Sequence, residues 1–260
     1  MSKSEENHSL SKLLFELSSP DRTSLLNALR SSSLKLSQLA QKSSATVQET
    51  SRHLERLSPT GLVVKNSEGE YVITSVGRLC LDQLESLNFV VHYRDYLSGH
   101  DLSFLPEKFI HRLGELTKSD YAATVTEVLH HTEAVLEGAR EYVLLMADQA
   151  LIPTYSTGVS FVRNSGVIWK SIIPRSVFSS LPALDIVPEN TEIRFLDDPK
   201  VAIAMNEKLA GVSFSDLKGR LDMSAGFKGT DKAFHDWCYE LFLHYWESSR
   251  IDRETPLRTF

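Results

Sequence analysis

LKLSQLAQKSSATVQETSRHLERLSPTGLVVKNSEGEYVIT, residues 34–74, is the stretch that decides how this chain begins to fold. It opens with a short amphipathic segment that carries Leu36, Leu39 and Ala40 on one side, then breaks at Lys42, Ser43, Ser44 and Ala45. Thr46, Val47, Gln48 and Glu49 begin a second helix with a capping box. The Thr46 hydroxyl can accept from the Glu49 amide, and the Glu49 carboxylate can accept from the Thr46 amide. Helical spacing sends Val47, Thr50, Leu54 and Leu57 inward and leaves Gln48, Ser51, Arg52, Glu55 and Arg56 mainly on the other side. Two short strands follow, Leu62 to Lys65 and Tyr71 to Thr74, around the polar turn Asn66, Ser67, Glu68 and Gly69. Helix, break, helix and hairpin in this order predict a winged helix-turn-helix, a unit that lays its second helix in a groove of double-stranded DNA. The competing reading is a small helical bundle with an incidental hairpin.

Groove reading asks for particular side chains. An arginine pairs bidentately with guanine and a glutamine with adenine, so Arg52 and Gln48 are the expected base readers. Ser51 is short enough to let the helix approach closely. Backbone phosphates need cations and hydroxyl or amide donors, and Thr46, Arg56, Lys65 and Arg78 are expected there. Glu49 and Glu55 stand beside these cations and leave open which bases are read.

Outward from this stretch, Leu10, Leu13, Leu14 and Leu17 mark a first helix. Ser19 and Pro20 start a second as cap and first helical position, with Leu25, Leu26 and Leu29 as its apolar set. Residues 75–97 read as one long helix whose stripe includes Val76, Leu79, Cys80, Gln83, Leu84, Leu87, Val90, Val91 and Tyr96. Such a helix either pairs with its copy in a second subunit or packs on its own chain; pairing, and so a homodimer, is expected. Further helices are predicted over 107–116, 122–138, 152–163, 177–181 and 231–248. Strands are predicted over 142–146, 167–173, 192–196, 201–205, 209–214 and 221–227. Strands alternating with helices imply a partly parallel α/β layer. The fold class is thus α+β or mixed, in three parts: a DNA-binding domain at 1–80, linker and dimerisation helices at 81–124, and an α/β effector domain at 125–260.

Composition is that of an ordinary globular protein, with 42% hydrophobic and 24% charged residues in 260. There is no apolar run of membrane-spanning length and no secretory leader pattern at the start. Two cysteines, Cys80 and Cys238, give no disulfide framework. A reducing, cytoplasmic setting without membrane partners is expected. The net charge of −6 looks wrong for a DNA binder until it is divided. Residues 1–80 hold 10 Lys+Arg against 8 Asp+Glu, a balance of +2; residues 81–260 hold 18 against 26, a balance of −8. The acidic excess lies outside the proposed DNA-binding part, whose own excess is small enough to predict modest, salt-sensitive affinity.

Three segments in the first part, LSQLA at 36–40, TSRHLERL at 50–57 and TGLV at 60–63, resemble winged-helix regulators of the arsenic-repressor type found in archaea and bacteria. FKGTDKA at 227–233 and WCYELFLHY at 237–245, after IRFLDD at 193–198, resemble the effector domain of archaeal methanogenesis-regulator-type transcription factors. The resemblance implies a dimeric transcription regulator whose effector domain is related to the phospholipase-D-like fold. Enzymes of that superfamily carry His-x-Lys-x4-Asp, and no histidine here is followed two positions later by lysine. Without that nucleophile the domain is expected to sense or to dimerise, not to catalyse. The alternatives are a hydrolase or phosphodiesterase tethered by the winged helix, and a winged helix that binds protein.

Other clusters of reactive side chains have plainer readings. His235, Cys238 and His244 share a predicted helix, but Cys238 suits a small core position better than a metal ligand, so no metal is expected. His130 and His131 are adjacent, their rings diverge on a helix, and both are expected in solvent. Cys80 suits a buried stripe better than a redox switch. Gly226 and Gly229 are too closely spaced for a nucleotide fingerprint, and no cofactor is expected. Asp148, Tyr155, Arg175 and Asp197 lie near predicted strand ends, where open α/β sheets bind small molecules; they are the candidate lining of a small-molecule effector pocket, or else loop polars.

Overall fold

A computed structural model describes residues 9–148, 166–180 and 190–250. The chain divides into two compact units, Met1–Glu85 and Ser86–Phe260. The first holds helices α1 (Leu10–Leu17), α2 (Pro20–Ala28), α3 (Leu36–Lys42) and α4 (Val47–Leu57) and strands β1 (Val63–Lys65) and β2 (Tyr71–Ile73). Helix α5 (Ser75–His92) follows, and the division falls within it. The Ser9 hydroxyl caps α1, and Ser19 with Pro20 opens α2, as the sequence predicts. Leu25, Leu26, Leu39, Leu54, Leu57 and Leu62 are almost wholly buried and form the centre of this unit. Each contributes roughly 1.5–3 kcal/mol by leaving water.

The turn between α3 and α4 passes through Ser44 in the left-handed region, φ 54°, which costs a non-glycine residue strain. The β1–β2 hairpin pairs Val63 with Ile73 and Lys65 with Tyr71. Its turn closes on Asn66, whose Oδ1 accepts from the amides of Glu68 and Glu70. Gly77 is a glycine for lack of room: a Cβ there would lie 2.4 Å from the Leu62 carbonyl oxygen.

The second unit begins in α5 and continues with α6 (Arg94–Ser98), α7 (Glu107–Ile110), a 3₁₀ segment at Leu113–Lys118, β3 (Asp120–Ala122) and α8 (Val125–Gly138). Next come β4 (Tyr142–Met146), β5 (Ile168–Ile173), α9 (Arg175–Ser180), β6 (Thr191–Phe195), β7 (Val201–Asn206), β8 (Ala210–Phe214), β9 (Gly226–Gly229) and α10 (Lys232–Ser248). Among the described residues, seven strands form one sheet in the order β3-β9-β8-β7-β4-β5-β6. β4, β5 and β6 run parallel, and the remaining pairings are antiparallel. The architecture is mixed: a mainly helical first unit and a sheet-based second.

The two faces of this sheet differ. Ile203, Met205, Val212 and Phe214 join Phe234, Trp237, Cys238, Leu241 and Phe242 of α10 in the main core. Alternation puts Ala202, Ala204, Gly211 and Ser213 on the opposite face.

Several expectations change. The helix predicted over 75–97 breaks at Tyr93. The rings of Phe89, Tyr93 and Tyr96 all pack on Phe227, and this tertiary cluster overrides helical propensity. The segment 81–124 is more than a linker: Leu105, Phe109, Leu113 and Leu116 are buried in the main core, and Asp120–Ala122 is an edge strand of the large sheet. Ala122 therefore precedes the helix predicted over 122–138, which starts at Val125 with the Thr124 hydroxyl as its cap. The strand predicted over 221–227 forms at Gly226–Gly229, preceded by an isolated bridge from Leu221 to Ser215. The helix predicted over 152–163 lies outside the described residues.

Candidate nucleic-acid interface

Helix α4 is built as its sequence dictates. The Thr46 hydroxyl accepts from the Glu49 amide at 3.2 Å, and Glu49 Oε2 accepts from the Thr46 amide at 2.9 Å. The Thr46 hydroxyl also donates to Glu49 and, as the leading cause, holds its carboxyl below the usual range. Thr50, Leu54 and Leu57 are buried. Val47, expected inward, is instead 52% exposed. It stands in the first turn, ahead of the first residue that reaches the core.

The opposite face presents Gln48 and Arg52 to solvent. Arg52 makes no hydrogen bond or ion pair among the described residues, although its charge acts on Glu49. Ser51 is half-buried and donates to Glu55 Oε1 at 3.1 Å. Thr46 is exposed but committed to the cap.

Arg56 departs from its expected role. It donates through Nε and Nη2 to Glu16 of α1, at 3.0 and 2.9 Å. Glu16 is 4% exposed and also meets Arg22 Nε at 3.0 Å. The bond from Arg56 is the largest of the causes that lower the Glu16 carboxyl. Arg56 is a strut between α4 and α1 and not a freely available phosphate ligand. Bidentate charged bonds of this kind fix geometry as well as energy. Glu16 carries no sequence signal of this role, because the pairing spans 40 positions.

Arg78 is also occupied in part: Nη1 donates to the Arg30 carbonyl at 2.6 Å. Lys65 is exposed at the end of β1, with Nζ 5.6 Å from the Tyr71 ring centre. Thus Gln48, Ser51 and Arg52 share one helix face, Lys65 stands on the hairpin, and Arg56 and Arg78 are drawn into the unit's own bonding.

Of the four predicted pocket residues, Asp148 is the one that lines a described cavity. Asp148 lines a cavity of about 490 Å³ with His100, Asp216, Arg220, Leu221 and Asp222. Burial raises its pKa, and its Oδ1 is enclosed without a hydrogen-bond partner. His100 is held there by Asp222 Oδ2 at 3.0 Å. Arg175 instead stacks 4.6 Å from the Phe195 ring centre. Asp197 is exposed in a loop, and Tyr155 lies outside the described residues.

The histidine expectations also shift. His130 is exposed, but the His131 ring packs inward against Gly211. Burial, reinforced by the Lys228 charge, outweighs the pull of the Ala204 and Ala210 carbonyls and pushes its pKa down to about 4. Cys238 is fully buried, which pushes its thiol pKa well up. His235 Nε2 lies 2.7 Å from the Asn206 carbonyl oxygen. Cys80 is half-buried, and burial likewise raises its pKa. Among the described residues no helix is long and apolar enough to cross a membrane.

Comparison with curated proteins gave no match. Among solved structures, the chain is similar to TrmBL2, described as an archaeal chromatin protein with a novel mode of DNA binding. The identity is 17% over 96% of this chain and 100% of that one, with a TM-score of 0.41. NucT from Helicobacter pylori shares 14% identity over 52% of this chain and 99% of that one, TM-score 0.41. An IclR homologue from Microbacterium sp. strain HM58-2 shares 11% identity over 92% and 99%, TM-score 0.25. Superpositions this loose leave the fold to be read from the chain itself. A family model gives the sharper result: residues 10–95, which hold the helices and hairpin of the first unit, match the family described as HVO_A0261 N-terminal domain.

Proposed function

We propose that the protein is a non-enzymatic, DNA-binding transcription regulator whose first unit works as a winged helix-turn-helix and whose second unit is an effector domain. The observation that carries this reading is the division of α4 into a buried row, Thr50, Leu54 and Leu57, and an exposed face bearing Gln48 and Arg52. That helix is capped at Thr46, braced by Glu16 and followed by a two-stranded hairpin. In this reading Gln48, Ser51 and Arg52 face bases, while Thr46 and Lys65 lie toward phosphates. The arsenic-repressor and methanogenesis-regulator resemblances and the phospholipase-D-like relation of the effector domain belong to the same reading.

A homodimer follows from α5. Val76, Leu79, Leu87, Val90 and Val91 are 40–67% exposed along it. Exposed apolar residues of this kind, on either side of the division, mark association surfaces, and two copies joined there would present two recognition helices.

The test is DNA binding by the full-length protein across a salt series, on a duplex selected from a random pool. The expected affinity falls steeply with salt, as phosphate contacts demand. Arg52→Ala is expected to weaken binding by about tenfold or more, with relaxed preference at one base pair. Unchanged affinity for that variant removes Arg52 from base reading. A flat salt dependence favours a protein partner for the winged helix, and failure to enrich any duplex rejects the DNA reading.

A further inference from the structure

Strand order places a crevice at one end of the large sheet. From β4 the chain runs outward to β5 and β6 on one side, then returns to β7, β8 and β9 on the other. Connections that leave in opposite directions open a gap outside the carboxyl end of the strand between them, where α/β sheets take up ligands. β8 runs in the direction of β4, since both are antiparallel to β7. Asp148, just past β4, and the segment from Asp216 to Asp222, just past β8, therefore meet at this end. His100 joins them through a bridge to Asp216. The cavity they line measures about 490 Å³, inside the range of about 300–1,000 Å³ typical of small-molecule sites.

Three carboxylates line this space, and the chain answers two of them in full. Asp216 accepts from Arg220 Nε and Nη2, at 3.2 and 2.9 Å, and from the Lys218 and Arg220 amides. Asp222 accepts from the Ser224 amide and hydroxyl through Oδ1, and its Oδ2 lies 3.0 Å from His100 Nε2. Asp148 differs. Its own amide and that of Leu221 act on the carboxylate. Oδ1 nevertheless stays enclosed without a hydrogen bond, and no cation pairs with the group among the described residues. Burial, and after it the charge of Asp198, opposes its ionisation. A half-buried carboxylate short of a counter-charge favours a cation brought from outside. Among the described residues no three His, Cys, Asp or Glu side chains gather closely enough to hold a metal ion, so the cation that fits is organic.

We propose that this cavity binds a primary amine in its ammonium form, carried on a small aliphatic body. The ammonium donates to Asp148 Oδ1, and the alkyl part lies against Leu221, the apolar side chain of the described lining. Arg220 stays with Asp216 and His100 with Asp222, so Asp148 is where positive charge is wanted. A neutral alcohol leaves that carboxylate without a counter-charge, and an anion meets it with repulsion. The assignment rests on reading the second unit as an effector domain, which it supplies with a ligand, and it is independent of DNA binding by the first.

The test titrates full-length protein, free of DNA, with n-pentylamine hydrochloride at neutral pH and follows binding by calorimetry. Sodium chloride, n-pentanol and sodium pentanoate serve as controls. Pentylammonium is expected to saturate, and the three controls are not. Asp148→Asn keeps the shape of the side chain and removes its charge. It is expected to weaken pentylammonium by about tenfold, the usual worth of one charge-assisted contact, while the variant keeps its fold by circular dichroism. Pentanol bound by the parent as tightly as pentylammonium overturns the proposal without need of a variant. Heats that follow sodium chloride and pentylammonium alike overturn it too, as does an Asp148→Asn variant that folds and binds pentylammonium as tightly as the parent. Pentylammonium that binds the free protein but leaves its affinity for a selected duplex unchanged supports the site and refutes the effector reading alone.

Discussion

The Arg52 guanidinium makes no hydrogen bond or ion pair among the described residues, and His131 Nε2 is enclosed without a well-aligned one; the contrast between them separates the two units. Arg52 stands in solvent on α4, where water satisfies its charge at no cost to the fold. His131 has an enclosed Nε2 beneath α8, where the same lack of a partner is destabilising and its charged form is strongly disfavoured. One group is available to a partner because its helix faces outward. The other is walled in, close against Gly211 and beside the Ala204 and Ala210 carbonyls. Exposure leaves the first group to solvent, and enclosure denies the second any water.

The largest expected effect breaks the comparison from the His131 side. Its pKa falls from an ordinary 6.5 to about 4 in the folded chain. Above pH 6.5 the ring is neutral folded or unfolded, so nothing is lost. As pH drops from 6.5 toward 4 the unfolded chain gains a proton that the folded chain refuses, and stability falls by roughly 3 kcal/mol. All three tryptophans, Trp169, Trp237 and Trp246, lie in the second unit, so tryptophan fluorescence during denaturation reads that unit alone. His131→Gln should remove most of this dependence; an unchanged pH profile would show that the ring is protonated in the fold.

A smaller effect tests how the exposed side is held. Glu16→Ala leaves Arg22 buried with only carbonyl partners and releases Arg56. It should cost about 2 kcal/mol of first-unit stability and raise amide hydrogen exchange along α4. Equal exchange in parent and variant would mean the strut is unnecessary. Thr46→Ala removes the cap of the same helix and should cost about 1 kcal/mol, read as a lower denaturation midpoint, with fraying confined to its first turn. The smallest expected effect concerns Val47. Being half in water, it should tolerate serine within about 0.5 kcal/mol; a large loss would restore it to the core.

The first unit was largely legible because its decisive relations are local. The capping box spans three positions, the helix period fixes Thr50, Leu54 and Leu57, and the hairpin announces itself by alternation and a turn. What stayed hidden there was long-range: Glu16 claims Arg56 from 40 positions away, and Arg30 claims Arg78 from 48. In the second unit the strands were recognisable by length and content, but their neighbours were not. The placement of 81–124 in the core, the break at Tyr93 and the inward turn of His131 all depend on which strand lies beside which.

The sequence by itself determined a capped, amphipathic helix with a hairpin behind it, and a chain of strands and helices to follow, because those features arise from backbone periodicity and bonding between near neighbours. Only the tertiary structure decided that Arg56 is a brace, that Asp148 lines a cavity with His100 and Asp222, and that His131 looks into another. Those outcomes depend on packing between residues far apart in the chain, where the size of a facing alanine or glycine settles whether a polar atom meets protein, water or empty space.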